Sequence, residues 1–84
     1  MQSCFYKENE ILKVDLHQMK VWEAWMVLDH YVTEAPTEIK EIIVIHGYHN
    51  GNALLSMVRN DYKNKRVQKK YLSLNNGITS FILE

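Results

Sequence analysis

Strand-forming and helix-forming periodicities alternate along this chain, and the alternation limits the folds it can adopt. Residues 11–16 alternate apolar and polar side chains, which predicts a strand with one buried face. Residues 21–34 repeat apolar side chains at steps of three and four, which predicts a helix that Pro36 ends. The run of β-branched residues over 39–45 predicts a buried strand. The predicted buried helix face consists of Val21, Trp25, Leu28 and Val32.

The second half of the chain carries one more helix signal and two more strand signals. A polar loop precedes a helical pattern that fades near Asn64. Residues 67–74 and 78–83 predict two strands. Asn76 and Gly77 between them favour a tight hairpin, because both residue types tolerate positive φ. The element order is βαβαββ, which is typical of an α/β domain.

Polar clusters follow the first two predicted strands directly. Asp15 and His17 come after the first strand, and His46 with Gly47 comes after the second. Crossovers between parallel strands are nearly always right-handed, so the carboxyl ends of these strands meet at one edge, where α/β sheets usually bind ligands. The amides that open the second helix, from Gly47 to Ala53, lie at the same edge and suit a phosphate.

Length and composition favour one small domain. The chain has 84 residues, and its 46% hydrophobic and 24% charged residues are ordinary for a globular protein. It contains no apolar run of roughly 20 residues, and its start lacks the apolar stretch of a signal peptide, so we expect a cytoplasmic protein without a membrane anchor. Cys4 is the only cysteine, which excludes an internal disulfide and a cysteine-based zinc site.

Charge is unevenly distributed although the formal net charge is zero. Residues 59–84 carry six basic and two acidic side chains, and the remainder carries four basic and eight acidic ones. A basic stretch of this kind suits nucleic-acid phosphates, and its alternative interpretation is a solvated helix end and turn. The basic set is Arg59, Lys63, Lys65, Arg66, Lys69 and Lys70.

Two motifs resemble those of the Smr (small MutS-related) domain family. The sequence VDLH at residues 14–17, followed by Glu-Ala at 23–24, looks like the LDLHG motif of that family. The sequence HGYHNG at residues 46–51 looks like its HGxGxG motif. The two motifs occur in the right order and with similar separations.

The resemblance covers residues 11–84 and leaves residues 1–10 as a short N-terminal extension. It implies a two-layer βαβαββ sandwich with a mixed four-stranded sheet, similar to the C-terminal domain of a bacterial translation initiation factor. In that arrangement the last strand is antiparallel to the others and lies between the second and third. Both helices cover one face of the sheet.

The resemblance also implies nucleic-acid binding, with nicking or endonuclease activity on DNA or RNA in some members. By position, Asp15 and His17 are the catalytic pair, and the loop that begins at His46 binds the substrate. We expect the basic set to assist binding. The candidate binding residues of the loop are Gly47, His49 and Gly51.

The sequence departs from the family pattern in both motifs. Gln18 stands where a glycine usually follows the first histidine, and His49 replaces the central glycine of the second motif. Many members carry an arginine soon after the loop, whereas the next arginine here is Arg59. Two alternatives therefore stay open, an endonuclease and a nucleic-acid-binding module without catalysis.

Imidazole exchanges protons near neutral pH, which suggests a mechanism for the first alternative. His17 would activate a water or an RNA 2′-hydroxyl while Asp15 orients its ring. His46 or His49 would assist the leaving oxygen, and loop amides would stabilise the developing charge. No cofactor is required by this scheme. A divalent metal on Asp15, His17 and a loop histidine is the variant, although the sequence offers no full ligand set.

Structural interpretations compete with these roles. Asp15 can cap a turn, and His17 and His46 can hydrogen-bond to backbone at strand ends. Trp22 and Met26 lie one helical turn apart, which predicts either packing at the edge of the core or a patch for a protein partner or weak dimer. The open sheet face is a further candidate surface for unpaired bases. Its expected residues are Val67, Lys69, Tyr71 and Ser73.

Overall fold

The computed structural model describes residues 5–8, 10–48 and 51–84. Five strands and two helical segments lie within these ranges. The strands are β1 (Phe5–Glu8), β2 (Ile11–Asp15), β3 (Glu41–Ile45), β4 (Val67–Leu72) and β5 (Ile78–Leu83). The helical segments are α1 (Val21–Glu34) and α2 (Ala53–Ser56), and a π-helical turn over Met57–Asp61 continues α2.

The strands form one mixed sheet in the order β1-β2-β3-β5-β4. Strands β2 and β3 are parallel, whereas β5 is antiparallel to both of its neighbours, β3 and β4. This confirms the predicted sheet, with the last strand between the second and third predicted ones. Strand β1 adds a fifth strand to the predicted four, antiparallel to β2, within the segment predicted as an extension.

The core lies between the helices and one face of the sheet. Alternate residues of β2, β3 and β5 are buried on that face and pack in one cluster with both helical segments. Helix α1 contributes Leu28 and Val32 as predicted, but Ala24 replaces Val21 and Trp25, which are 39% and 37% exposed. The small Ala24 side chain allows α1 to approach the sheet closely. The buried strand residues are Leu12, Val14, Ile42, Val44, Thr79, Phe81 and Leu83.

Helix α1 begins and ends where its sequence pattern predicts. Its last residue is Glu34, and Ala35 is extended with φ −59° and ψ 132°. Proline disfavours helical geometry in the residue before it, so Pro36 accounts for this end. Within the part of the chain that the structure describes, no helix is both long and apolar enough to cross a membrane.

The second helix is shorter than predicted and ends in a wider turn. It stops at Asp61, and the amide of Tyr62 donates a hydrogen bond to the Met57 carbonyl over 2.7 Å, an i→i+5 step. Tyr62 is fully buried, and its hydroxyl donates to Asp29 of α1 over 2.7 Å. The wide turn therefore places a tyrosine where it joins both helical segments.

The predicted tight turn between β4 and β5 is wrong. Neither Asn76 nor Gly77 has a positive φ, and residues 73–77 form a longer loop. Side chains hold this loop: the Ser73 hydroxyl accepts from the Asn75 amide over 3.0 Å, and the Asn75 side-chain oxygen accepts from the Gly77 amide over 2.8 Å. Such local hydrogen bonds compete with a two-residue turn.

A β-bulge between Val67 and Lys69 changes the predicted face of one residue. Val67 is paired with Leu83, which faces the core, whereas Lys69 and Tyr71 are paired with residues of the opposite, open face. Paired residues share a face of the sheet, so Val67 does not lie on the open face. Ser73 follows the end of β4.

Candidate functional site

The Asp15 and His17 side chains form an exposed pair at the carboxyl end of β2. One Asp15 carboxylate oxygen accepts from the backbone amide of His17 over 3.1 Å and lies 2.5 Å from the ring Nδ1. A carboxylate only accepts hydrogen bonds, so Nδ1 carries the hydrogen and Nε2 offers its lone pair. The His17 and Asp15 side chains are 51% and 42% exposed. The pair is therefore oriented and open to solvent.

Gln18, directly after this pair, adopts left-handed backbone geometry with φ +68°. A side chain in this region costs about 1 kcal/mol, and glycine avoids the cost. This explains why the LDLHG motif carries glycine here. The Met19 amide nevertheless donates to the Leu16 carbonyl over 3.1 Å, so the turn closes with glutamine in place.

The second motif places two glycines in left-handed geometry, with φ +72° at Gly47 and +108° at Gly51. The amides of His46 and Gly47 both donate to the Gly77 carbonyl, over 2.9 and 3.0 Å. The loop between β4 and β5 therefore holds the start of the motif loop. His49, a predicted binding residue, lies outside the described residues.

His46 is buried, in contrast to His17. It is 2% exposed, and burial lowers the pKa of its imidazole below 6.5, an effect that outweighs the hydrogen bond to Gly47; the charge of Arg59 lowers it further. Its Nδ1 lies 2.9 Å from the Gly47 carbonyl, and its Nε2 lies 2.9 Å from the Thr79 hydroxyl. The Arg59 Nε donates to the same hydroxyl over 2.7 Å.

A cleft of about 690 Å³ lies between the starts of the two helical segments. Residues of both motifs line it, and His17 also borders a shallower cavity of about 330 Å³ with Asp15 and Tyr48. Asp15, His17 and His46 thus meet at one edge, as the strand order predicts. Lining residues from the motifs are His17, Gln18, His46, Gly47 and Gly51.

The first turns of both helical segments open into this cleft without a side-chain cap. Lys20 precedes α1 and Asn52 precedes α2, and neither side chain caps its helix. Lys20, Val21, Ala53 and Leu54 line the cleft. Unpaired amides and the positive end of the helix dipole favour an anion at such a position. The cleft therefore presents hydrogen-bond donors to a phosphate.

Arg66, a predicted binding residue, caps the carboxyl end of α1. Its Nη1 donates to the carbonyls of Val32 and Ala35 over 2.9 and 2.6 Å. These carbonyls have no partner within the helix, and a cation at a helix carboxyl end also complements its dipole. The structure thus gives Arg66 a role in the fold.

Lys70 does the same for the second helical segment. Its Nζ donates to the carbonyls of Val58 and Tyr62 over 2.9 and 2.7 Å and lies 5.4 Å from the centre of the Phe81 ring. Burial lowers the pKa of Lys70, and the charge of Lys63 lowers it further. Lys70 therefore faces the core side of β4 and is engaged with backbone.

Three of the six predicted basic residues keep their charged groups uncommitted. The side chains of Lys63, Lys65 and Lys69 form no hydrogen bond or ion pair with any other residue of the described ranges. They line a groove of about 510 Å³ beside the start of β4, at the opposite end of the sheet from the cleft. Arg59 is engaged with β5, since its Nη2 also donates to the Ile78 carbonyl over 2.9 Å.

Two further predictions concern metals and partners. Within residues 5–8, 10–48 and 51–84, no group of three His, Cys, Asp or Glu is placed to hold a metal ion. Trp22 and Met26 are 64% and 63% exposed, so they are not packed at the edge of the core. The Trp25 ring instead packs edge-on against the ring of Tyr62, the residue after the second helical segment, with 5.1 Å between the ring centres.

Sequence analysis missed Thr79 as a site residue. Thr79 is fully buried, and it alternates with the buried Phe81 and Leu83. A hydroxyl at a core position requires a hydrogen-bond partner, which is the signal that could have found it. The role of Arg59 has no such signal in the sequence.

Comparison with known proteins agrees with the motifs and the geometry. The Smr domain profile matches residues 14–77, which is more than half of the chain. The structure is similar to the crystal structure of the Smr domain of Thermus thermophilus MutS2, with a TM-score of 0.76 and 26% sequence identity over 86% of this chain and 96% of that chain. No curated protein matches the sequence. The chain belongs to the Smr domain family.

Proposed function

We propose that this Smr domain binds nucleic acid and cleaves a phosphodiester bond at the Asp15–His17 pair. The observation that carries the proposal is the exposed imidazole, polarised by a carboxylate at 2.5 Å, beside a cleft of uncapped helix amides. A base next to an anion-binding surface is what phosphodiester hydrolysis or transfer requires.

In this mechanism His17 Nε2 takes the proton of an attacking water or RNA 2′-hydroxyl as that oxygen bonds to phosphorus. The P–O bond to the leaving oxygen breaks, and the leaving oxygen takes its proton from the His17 imidazolium or from solvent. Asp15 holds the ring through Nδ1 and stabilises the imidazolium that forms. Amides at the starts of α1 and α2, which no side chain caps, stabilise the charge on the phosphate in the transition state. Proton transfer by a positioned histidine contributes about 10² to 10⁴-fold to a rate.

The uncommitted lysines extend the proposed binding surface. The paired part of the sheet spans five residues, or about 17 Å, between the cleft and the groove of Lys63, Lys65 and Lys69. We assign the remote phosphate contacts to these three lysines, and a role in the fold to Arg59, Arg66 and Lys70, whose charged groups contact the protein itself. A nucleic acid that contacts both the cleft and the groove would have to span this distance.

A cleavage assay with parallel binding measurements tests the proposal. The substrates are labelled single-stranded RNA, supercoiled plasmid and branched DNA, each with and without magnesium or manganese. His17→Ala and Asp15→Asn should lose cleavage and keep binding. His30→Ala removes another exposed histidine, on α1, and is the matched control. Cleavage that persists in both site variants contradicts the assignment.

The same assay separates the alternatives. Binding without cleavage by the parent protein identifies a recognition module. Absence of both at low salt identifies a protein-interaction domain, for which the exposed Trp22 and Met26 are the first surface to test. Substitution of Lys63, Lys65 and Lys69 by glutamine should weaken binding and reduce its salt dependence, since each phosphate contact releases counterions. The exposed Lys40→Gln serves as the control.

A further inference from the structure

The two histidines of the candidate site differ in solvent exposure and in hydrogen bonding. His17 is exposed and bound on one nitrogen, whereas His46 is 2% exposed and bound on both. The partners of His46 are the Gly47 carbonyl and the Thr79 hydroxyl, and that hydroxyl also contacts Arg59. The positions of the hydrogens in this series of hydrogen bonds follow from the two groups at its ends, the Gly47 carbonyl and the Arg59 guanidinium.

The Gly47 carbonyl only accepts hydrogen bonds, so Nδ1 of His46 carries a hydrogen. At the other end, the arginine side chain is always protonated, and the Arg59 Nε donates to the Thr79 oxygen over 2.7 Å. With a neutral His46, the Thr79 hydroxyl uses its own hydrogen to donate to Nε2. The neutral ring with its hydrogen on Nδ1 therefore satisfies all of these bonds and also gives the Thr79 hydrogen an acceptor.

A second hydrogen on His46 would leave the hydrogen of the Thr79 hydroxyl without an acceptor. Nε2 would then donate to an oxygen that already accepts from Arg59, and no other hydrogen bond among the described residues gives the Thr79 hydroxyl an acceptor. The charged or titratable groups around the ring are Arg59 from the second helical segment and His17 across the cleft. The β5 partner, Thr79, is uncharged. No carboxylate among these partners compensates a buried imidazolium.

We propose that His46 is a positioning residue, held as the neutral Nδ1–H imidazole between Gly47 and Thr79, and that His17 alone exchanges protons with the substrate. The second half of this inference rests on the proposed function. The Nδ1–H bond fixes the Gly47 carbonyl, while the His46 and Gly47 amides are held by Gly77. The start of the motif loop is thereby fixed on both sides, through a chain that extends to Arg59.

Nuclear magnetic resonance of the histidine nitrogens tests the first half without any substrate. Long-range ¹H–¹⁵N correlation should show His46 with its hydrogen on Nδ1 and an unprotonated Nε2 at pH 7. Its titration midpoint should lie below 6.5, the ordinary value. In Thr79→Val the fixed tautomer should be lost, and in Thr79→Ser it should be kept. A hydrogen on Nε2, or a midpoint at or above 6.5, overturns the proposal.

Cleavage as a function of pH tests the second half. The His46→Asn side chain has no titrating group, yet its amide can donate to the Gly47 carbonyl in place of Nδ1. We expect His46→Asn to keep cleavage within about tenfold of the parent and to keep the shape of the pH profile, whereas His46→Ala should lose more. Loss of one limb of the profile in His46→Asn, or activity as low as in His46→Ala, overturns the proposal.

The two experiments also distinguish failure of this inference from failure of the proposed function. If the parent protein cleaves no substrate, the assignment of proton exchange to His17 fails with the nuclease proposal. The tautomer and titration of His46 still decide whether it is a positioning residue. If cleavage is found and His46 titrates as an ordinary histidine, only the present inference fails.

Discussion

The two ends of the sheet treat the polar ends of the helices in opposite ways. At the cleft, neither the Lys20 nor the Asn52 side chain caps the helix that follows it, and the first turns of both helical segments line the cleft. At the far end, Arg66 and Lys70 donate hydrogen bonds to the last carbonyls of the two helical segments. The chain thus satisfies its own acceptors and leaves its donors open.

This difference shows where the chain has capacity for an anion. Carbonyls at helix ends can be satisfied by basic side chains, which are present in the carboxyl-terminal half. Amides at helix starts need an oxygen, and the only acidic side chain in the first turn of α1 is Glu23. Half of the basic set, Arg59, Arg66 and Lys70, is consequently engaged in the fold, and only the other half is assigned to the proposed phosphate contacts.

The largest expected effect tests whether the cleft end serves chemistry rather than stability. His17→Ala should lower the cleavage rate by about 10² to 10⁴-fold, because it removes the proton acceptor. Its free energy of unfolding should change by less than about 0.5 kcal/mol, because the side chain is largely exposed. Urea denaturation and the cleavage assay check both values. A large loss of stability would make the catalytic interpretation unsafe.

The next effect tests the far end. Lys70→Met keeps the apolar part of the side chain over Phe81 but removes the donor to the carbonyls of Val58 and Tyr62. We expect the free energy of unfolding to fall by about 2 kcal/mol, since unsatisfied polar groups cost about 1 to 3 kcal/mol each. Lys69→Met on the opposite sheet face is the matched control and should change it by less than about 0.5 kcal/mol. Equal effects would contradict the capping role.

A pH series refines the comparison within the cleft itself. The pKa of His46 in the folded state lies below 6.5. As the pH falls below 6.5, the unfolded chain therefore binds a proton at His46 that the folded chain does not bind. This contribution to stability is complete above pH 6.5 and is lost as the pH falls toward the folded pKa. Urea denaturation at pH 7.5 and pH 5 should show a smaller acid loss for His46→Asn than for the parent. Parallel losses in both proteins would argue against a neutral, buried His46.

The smallest effect concerns the turn after the Asp15–His17 pair. Gln18→Gly should raise the free energy of unfolding by up to about 1 kcal/mol, because glycine adopts φ +68° without steric cost. The greater freedom of glycine in the unfolded chain offsets part of this gain. Thermal denaturation of the two proteins measures it. A decrease in stability would mean that the glutamine side chain makes a compensating contact.

Sequence periodicity predicted what depends on burial patterns, and it failed where single side chains decide. The α1 bounds follow from apolar repeats, whereas the mixed sheet order was implied by the resemblance to the Smr family. The loop between β4 and β5 depends on hydrogen bonds of Ser73 and Asn75, which have no periodic signal. The short β1 carries too few residues for its alternation to be distinguished from an extension.

The candidate site shows the same division. Strand ends predicted that Asp15, His17 and His46 meet, because parallel strands bring their carboxyl ends together. Burial then separates two residues of the same type: one imidazole is open to solvent, and the other is enclosed by Thr79 and Arg59. Contacts between residues 33 and 20 positions apart set this difference, and they cannot be derived from local sequence.

The position of β5 has a consequence for synthesis on the ribosome. Residues 78–83 lie between β3 and β4 and supply Phe81 and Leu83 to the core, yet they are translated after every other described strand. Before they emerge, β3 and β4 have no shared partner, and the nascent chain exposes strand edges that are prone to aggregation. The sheet of this domain can therefore be completed only after residues 78–83 have been synthesised.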